Sequence, residues 1–283
     1  MLELDHTLKL RDGRTLGWGQ YGEEVGTPLF FFHGTPGSRM MRHPDISITE
    51  KLKVRIITMD RPGFGLSDPK PSRTFWDWPD DVQELADALQ IERFGVIGFS
   101  GGGPYAMACA YRMPERVTAV SLVSSLSPPH LRGSQKPLPL VIRLLFSCSR
   151  SVPGVLPVVV NPIVRKVRQR FDAAYDRFAG YLPECDRKIF LDPQIKKVFK
   201  ESLSEAFRQG SSGFLTELAM QNRPWGFDIG EIRQKIYVWH GSLDLFHDGQ
   251  TFVKSIPDCQ STLLEEGHLV LFQHWSDVLV QML

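Results

Sequence analysis

A short stretch bordered by glycines carries a side chain that could act as a nucleophile. Gly98-Phe99-Ser100-Gly101-Gly102 follows the apolar run 94–97 and precedes a segment rich in helix formers. A reactive serine must sit on a sharp turn that holds its hydroxyl clear of strand and helix, and nearby glycines let the chain fold back tightly. The pattern G-x-S-x-G between strand and helix therefore predicts a nucleophile at Ser100. The N–H of Gly101, at the start of that helix, is free to bind an oxyanion.

A serine hydroxyl is a poor nucleophile at neutral pH and needs a base that a carboxylate orients. His268 follows the strand expected over 260–264, which ends in Leu263-Leu264, on a Gly-His turn before the last helical segment. Asp244 follows the strand expected over 231–239, in His240-Gly241-Ser242-Leu243-Asp244. We assign His268 as the base and Asp244 as the orienting acid.

Other residues compete for these two roles. His247 is a possible base, but a base so close to Asp244 in the chain has little freedom to reach Ser100. Three acids near the assigned pair are more simply interpreted as solvated charges: Asp248, Glu265 and Glu266. Asp60, beside Arg61, is interpreted as part of an ion-paired turn rather than as a catalytic carboxylate.

Together the motifs resemble the α/β-hydrolase superfamily, whose triad runs in the order serine, acid, histidine. The loop His33-Gly34-Thr35-Pro36-Gly37, after the strand 29–32, and the loop 60–68 are also similar to loops of that family. The resemblance covers nearly the whole chain apart from a central insert. It implies that Thr35 supplies the second oxyanion donor and that His33 braces its loop. Relatives that open epoxides or remove halides carry an aspartate in the turn where this chain has Ser100. The serine at position 100 therefore argues against both chemistries.

Strands and helices alternate along most of the chain, which predicts a mostly parallel, doubly wound α/β sheet. Two strands surround Asp12-Gly13, and further strands are expected over 29–32, 54–59, 94–97, 117–124, 231–239 and 260–264. Helices are expected over 38–52, 80–89, 103–112, 248–255 and 269–283. The alternation stops from Ser127 to about Arg223, and so long a segment needs structure of its own. We predict a core of residues 1–126 and 224–283 and a helical cap of residues 127–223.

The substrate is expected to be a small, mostly apolar ester, cleaved without a cofactor or metal. The apolar stretches 138–146 and 152–160 of the cap either pack on the core or line a pocket. The candidate substrate-binding residues are Phe99, Leu144, Leu145 and Trp225. Two alternatives stay open. The loop 33–37 also resembles that of proline aminopeptidases, although no acidic pair stands out to anchor an amine. Some members of the superfamily use an intact triad as a small-molecule receptor with slow or no turnover.

Composition limits the partners. The net charge of +1 over 283 residues gives no electrostatic case for nucleic acid. Four scattered cysteines indicate neither a disulfide framework nor a metal site. Acidic residues near the N-terminus do not suggest a secretory signal, so a cytoplasmic location is expected. No charge-free run reaches the length of a membrane span. The oligomeric state is not indicated.

Overall fold

The computed structural model describes residues 1–131, 156–256 and 259–283, and the strands in these ranges form one eight-stranded sheet. The strand order is β1-β2-β4-β3-β5-β6-β7-β8. Strands β1 and β2 pair antiparallel, as do β2 and β4, and every other pairing is parallel. The strands are β1 Leu2–Lys9, β2 Thr15–Gly22, β3 Thr27–Phe32, β4 Val54–Met59, β5 Phe94–Phe99, β6 Val117–Val123, β7 Lys235–Gly241 and β8 Gln260–Leu264.

Helices cover both faces of this sheet, and the predicted α/β-hydrolase fold class is confirmed. The helices of the two flanks are α1 Ser47–Lys51, α2 Trp78–Ala88, α3 Gly103–Arg112, α9 Gly249–Lys254, α10 Val270–Gln273 and α11 Trp275–Met282. Between β6 and β7, the described residues from 156 onward form five more helices: α4 Leu156–Gln169, α5 Phe171–Ala179, α6 Glu184–Phe190, α7 Pro193–Ala206 and α8 Ser212–Gln221. We call these five the insert helices. In the described ranges no helix is long and apolar enough to cross a membrane.

Alternate residues of the central strands enter two separate cores, because side chains along a strand point to opposite faces. Phe30 and Phe32 of β3 pack with residues of α2 and α3. Leu29 and Phe31 pack on the other face, in a cluster that includes residues of α11. Buried aromatic residues of the insert helices α5 and α6 belong to that second cluster. The insert is therefore packed onto the same hydrophobic core that supports the sheet.

Two helical expectations are wrong in extent. The stretch 38–52 is helical only over Ser47–Lys51. Its first residues are held by contacts outside the stretch: Ser38 bonds to Ser202 of α7, and the backbone N–H of Arg39 donates to Asp60. The expected closing helix 269–283 is two helices that meet at His274, whose φ is −115°. The prediction of a separate core and cap stays a prediction.

Candidate active site

Ser100 lies at the tip of a tight turn between β5 and α3. Its φ of +53° is in the left-handed region, which an ordinary L-residue adopts only at a cost. A Cβ built at Gly102 would lie 2.0 Å from the carbonyl oxygen of Phe32, and one at Gly98 would lie 2.6 Å from the Cα of Gly103. Glycine is therefore required at both positions by close backbone approach, which is the physical reason for the sequence pattern.

The structure brings Ser100, His268 and Asp244 together from three separate loops at the carboxyl edge of the sheet. The Oγ of Ser100 lies 3.0 Å from Nε2 of His268, and Nδ1 of His268 lies 2.8 Å from Oδ2 of Asp244. Asp244 also accepts the backbone N–H of Phe246 at 2.7 Å, which fixes the orientation of its carboxylate. His247 does not take the place of the base: its ring lies against His268, with the centroids 5.3 Å apart.

Two opposing effects act on the pKa of each ionisable member of this group. Burial alone would lower the pKa of His268, but the charge and hydrogen bond of Asp244 outweigh it, and the pKa is raised above its ordinary value. Burial alone would raise the pKa of Asp244, but His268, His240 and His247 together bring it far below its ordinary range. The arrangement therefore favours a histidine that readily becomes an imidazolium beside an ionised carboxylate.

The loop after β3 places Thr35 next to Gly101. A Cβ built at Gly101 would meet the Oγ1 of Thr35, so the two residues are in close contact. His33 is buried, and its Nδ1 lies 2.8 Å from the carbonyl oxygen of Gly34. Burial and the nearby Arg61 hold the pKa of His33 well below its ordinary value. A neutral, enclosed His33 is consistent with bracing of the loop and not with proton transfer.

A buried polar network holds the loop after β3 in place, and the sequence analysis did not predict most of its contacts. Arg61 donates to the carbonyl oxygens of His33 at 2.6 Å and Gly34 at 2.9 Å. It also forms a fully buried ion pair with Glu217 of α8. Glu217 in turn accepts the hydroxyl hydrogens of Tyr105 at 2.6 Å and Thr35 at 3.1 Å. Positions 61 and 217 lie too far apart in the chain for the sequence to indicate this pairing.

Asp60 forms the buried ion pair that the sequence suggested, but not with its neighbour Arg61. Its Oδ2 lies 2.6 Å from Nη1 of Arg39, and its Oδ1 accepts the backbone N–H of the same residue at 2.7 Å. Arg39 also contacts Glu205 of α7 at 2.7 Å. Asp60 is therefore engaged in holding the loop after β3 and the insert together.

The candidate substrate-binding residues have different surroundings. Phe99 contacts His268, with the ring centroids 5.4 Å apart. Trp225 is buried in the core that contains residues of α2 and α3, where its ring lies 5.6 Å from that of Phe75 and 6.1 Å from that of Phe227. Its assignment to substrate binding stays a prediction. Leu144 and Leu145, with the whole stretch 138–146, lie outside the described residues, as does the first part of 152–160.

A series of aromatic side chains connects the insert helices with His268. Phe246 packs edge-on against His268 at 4.9 Å, and Phe178 of α5 stacks on Phe246 at 6.5 Å. A second series runs from Phe99 to Phe272 at 6.4 Å and on to Phe199 of α7 at 5.7 Å. Apart from the histidine itself, the ring contacts described here are between phenylalanines. The ring of His268 is thus bordered by Phe99 and Phe246, and through them by phenylalanines of the insert helices.

One residue of the insert binds the backbone next to His268. The carboxylate of Asp186, on α6, accepts the backbone N–H groups of His268 and Leu269. No sequence pattern indicates this contact. As for metals, the described part of the chain holds no group of three or more His, Cys, Asp or Glu side chains arranged to bind one.

Comparisons with known proteins bear on the fold of the chain. The family model described as alpha/beta hydrolase fold matches residues 27–273. A proline iminopeptidase of Neisseria gonorrhoeae is 30% identical over 318 aligned positions, which cover 97% of this chain and 93% of that protein. A proline iminopeptidase of Arabidopsis thaliana is 33% identical, but the match covers 41% of this chain and 31% of that protein. The solved enol-lactonase of Burkholderia xenovorans LB400 superposes with a TM-score of 0.71 at 18% identity, over 98% of this chain and 99% of that one.

Proposed function

The chain belongs to the α/β-hydrolase fold family, and from this premise we propose that it cleaves a small, mostly apolar ester with Ser100 as the nucleophile. The observation that carries the proposal is the continuous hydrogen-bonded series from Ser100 through His268 to Asp244, at 3.0 and 2.8 Å. A nucleophile in contact with a base, and a base oriented by a carboxylate, are what acyl transfer requires.

The proposed reaction proceeds in two halves. The Oγ of Ser100 attacks the acyl carbonyl carbon while Nε2 of His268 takes its proton, and Asp244 stabilises the imidazolium that forms. The N–H groups of Gly101 and Thr35 stabilise the oxyanion. The bond to the leaving alcohol breaks as His268 returns the proton to that oxygen. A water molecule then attacks the acyl-enzyme through the same base and releases the acid and free Ser100.

The preference for an apolar acyl group rests on the rings that border the site. Phe99 and Phe246 contact His268, and Phe178 and Phe199 extend these contacts into the insert helices. We propose that residues 127–223 act as the cap, with the insert helices supplying part of the acyl pocket. Each methylene buried there would contribute about 0.8 kcal/mol, which is a factor of about four in kcat/KM.

A second candidate function is release of an N-terminal proline, which the names of the relatives favour. An aminopeptidase needs a carboxylate that can bind the substrate's ammonium group. Glu217 lies beside Thr35, but its charge is already paired with Arg61. Asp186 is occupied by two backbone N–H groups. The acids closest to the site therefore favour the ester over the amine substrate.

A substrate panel separates the candidates. We would measure kcat/KM for p-nitrophenyl esters of two to ten carbons and for proline p-nitroanilide, with Ser100→Ala as the blank. The ester rates should rise about fourfold per carbon until the pocket is full, and exceed the anilide rate by at least about a hundredfold. Phe199→Leu should move the optimum to longer esters. The control Phe207→Leu should leave the optimum unchanged, because Phe207 lies just beyond the C-terminal end of α7 and packs on Phe214 of α8.

Two outcomes would contradict the proposal. Faster cleavage of proline p-nitroanilide than of any ester would assign the chain to the peptidases. Very slow turnover of the whole panel by a protein that still binds apolar esters would favour the small-molecule receptor.

A further inference from the structure

A buried carboxylate from the insert holds the peptide segment that carries the catalytic base. Asp186 is only 1% exposed. Its Oδ2 accepts the backbone N–H of His268 and its Oδ1 that of Leu269, each at 2.8 Å. Two parallel bonds to successive amides fix both the position and the orientation of this short segment. Because both oxygens accept an N–H, the ionised carboxylate is the form that fits the site.

The chain makes room for this contact at Gly267. A Cβ built there would lie 2.1 Å from Oδ2 of Asp186, so any larger residue would push the carboxylate away. The backbone of Gly267 has no positive φ that would itself demand glycine. Close approach of Asp186 is thus a specific reason for a glycine before the histidine.

Asp186 has no conventional partner for its charge. In the parts of the chain that the structure describes, no lysine or arginine forms an ion pair with it. Among nearby ionisable groups, His268 attracts the charge of Asp186 and lowers its pKa, whereas Asp244 repels that charge and raises it. Burial without a cation is unfavourable for a carboxylate, and the two backbone bonds offset only part of that cost.

We propose that Asp186 is a positioning residue for His268: it anchors the backbone of the base so that Nε2 faces Ser100, and its charge favours the imidazolium. This inference rests on the proposed function, in which His268 transfers protons. It also means that the insert helices, through α6, take part in aligning the triad.

Removal of this charge should be measurable at the imidazole, because the other groups around His268 stay in place. Asp244 binds Nδ1, and His240 acts on His268 through Asp244. The ring of His247 packs beside His268. The remaining ring contacts, from Phe99 and Phe246, are uncharged. A neutral residue at position 186 should therefore lower the pKa of His268.

The test compares Asp186→Asn with the matched control Asp192→Asn. Asp192 is also an insert carboxylate that accepts two backbone N–H groups, those of Gln194 and Ile195, but it is exposed. For each protein we would measure the pKa of His268 by NMR titration, the labelling rate of Ser100 by a fluorophosphonate, kcat and KM on the best ester, and the unfolding midpoint. Gly267→Ala supplies a second variant that keeps Asp186 but displaces its carboxylate.

In Asp186→Asn we expect the lower pKa of His268, a loss of about tenfold or more in labelling rate and kcat, and little change in KM. In Gly267→Ala the pKa of His268, the labelling rate and kcat should also fall. Asp192→Asn should match the wild type in all three. An unchanged pKa and an unchanged labelling rate in folded Asp186→Asn would overturn the inference, even if the unfolding midpoint falls. Failure of the wild-type protein to be labelled at Ser100 would instead overturn the proposed function, and the NMR titration would still test the contact.

Discussion

Ser100 combines a strained backbone with a hydrogen bond between its hydroxyl and His268. Its positive φ is maintained by the close packing of the turn, and its hydroxyl meets His268 without any rearrangement. His268 is 9% exposed, so the base is largely shielded from water while Ser100 remains partly accessible. A pre-aligned group of this kind lowers the cost of reaching the transition state, because little reorganisation is left for the reaction itself.

The raised pKa of His268 predicts the pH dependence of hydrolysis. His268 must be neutral to accept the proton of Ser100, so kcat/KM should be constant at high pH and fall as the pH drops through the pKa of His268. Because Asp244 raises that pKa over the opposing effect of burial, the midpoint should lie above the ordinary value of 6.5. A kcat/KM profile on an uncharged ester measures this midpoint. A midpoint below 6.5 would contradict the electrostatic account of the site.

The sequence was enough to predict that Ser100, His268 and Asp244 lie together, but it did not indicate the residues that support them. Ser100 stands in a motif whose glycines have a steric purpose, and Ser100 and Asp244 each follow a strand with a readable apolar pattern. The contacts of Arg61 with Glu217 and of His268 with Asp186 join positions far apart in the chain. A single sequence carries no signal for such pairs, because any buried charge can be satisfied by many partners.

At the scale of elements, the site depends on how closely α3 approaches the strands of the sheet. The first turn of α3 and the short turn before it lie against the end of β3, where the carbonyl oxygen of Phe32 faces Gly102. This approach sets the direction in which Ser100 leaves the strand.

Gly102→Ala should therefore be severely destabilising. Its Cβ would lie 2.0 Å from a backbone oxygen, so β3 and α3 would have to separate. We expect the free energy of unfolding to fall by about 3 kcal/mol, at the upper end of the usual cost of overpacking. Chemical denaturation measures this change. Gly180→Ala is the matched control, since the nearest atom to its Cβ would be a carbonyl oxygen 3.2 Å away. Equal stability of the two variants would show that the turn adapts easily.

The strands of the sheet could be located from the sequence more closely than the shorter helices. Five of the six residues of β4 are apolar or β-branched, and a loop follows the strand directly at Asp60. The stretch 38–46 has weak helical periodicity, but Ser38 and Arg39 bind the insert and Asp60. Such tertiary contacts outweigh a weak local preference.

On the scale of the whole molecule, residues of the insert helices enter both cores of the sheet and make several buried polar contacts with its loops. Arg39 connects Asp60 with Glu205, Arg61 pairs with Glu217, and Asp186 reaches the segment of His268. Each of these contacts leads from an insert helix to a loop that bears part of the site. The insert is thus physically connected both to the loop after β3 and to the segment that carries His268.

The central claim is that Ser100 is a nucleophile activated by His268 and Asp244, and covalent labelling tests it most directly. The wild-type protein would be treated with a fluorophosphonate, and the modified peptide identified by mass spectrometry, with Ser100→Ala and Asp244→Asn in parallel. We predict one adduct per chain at Ser100, none in Ser100→Ala, and labelling slowed by about four orders of magnitude in Asp244→Asn. Labelling at another residue, or equal rates in the wild type and Asp244→Asn, would contradict the account.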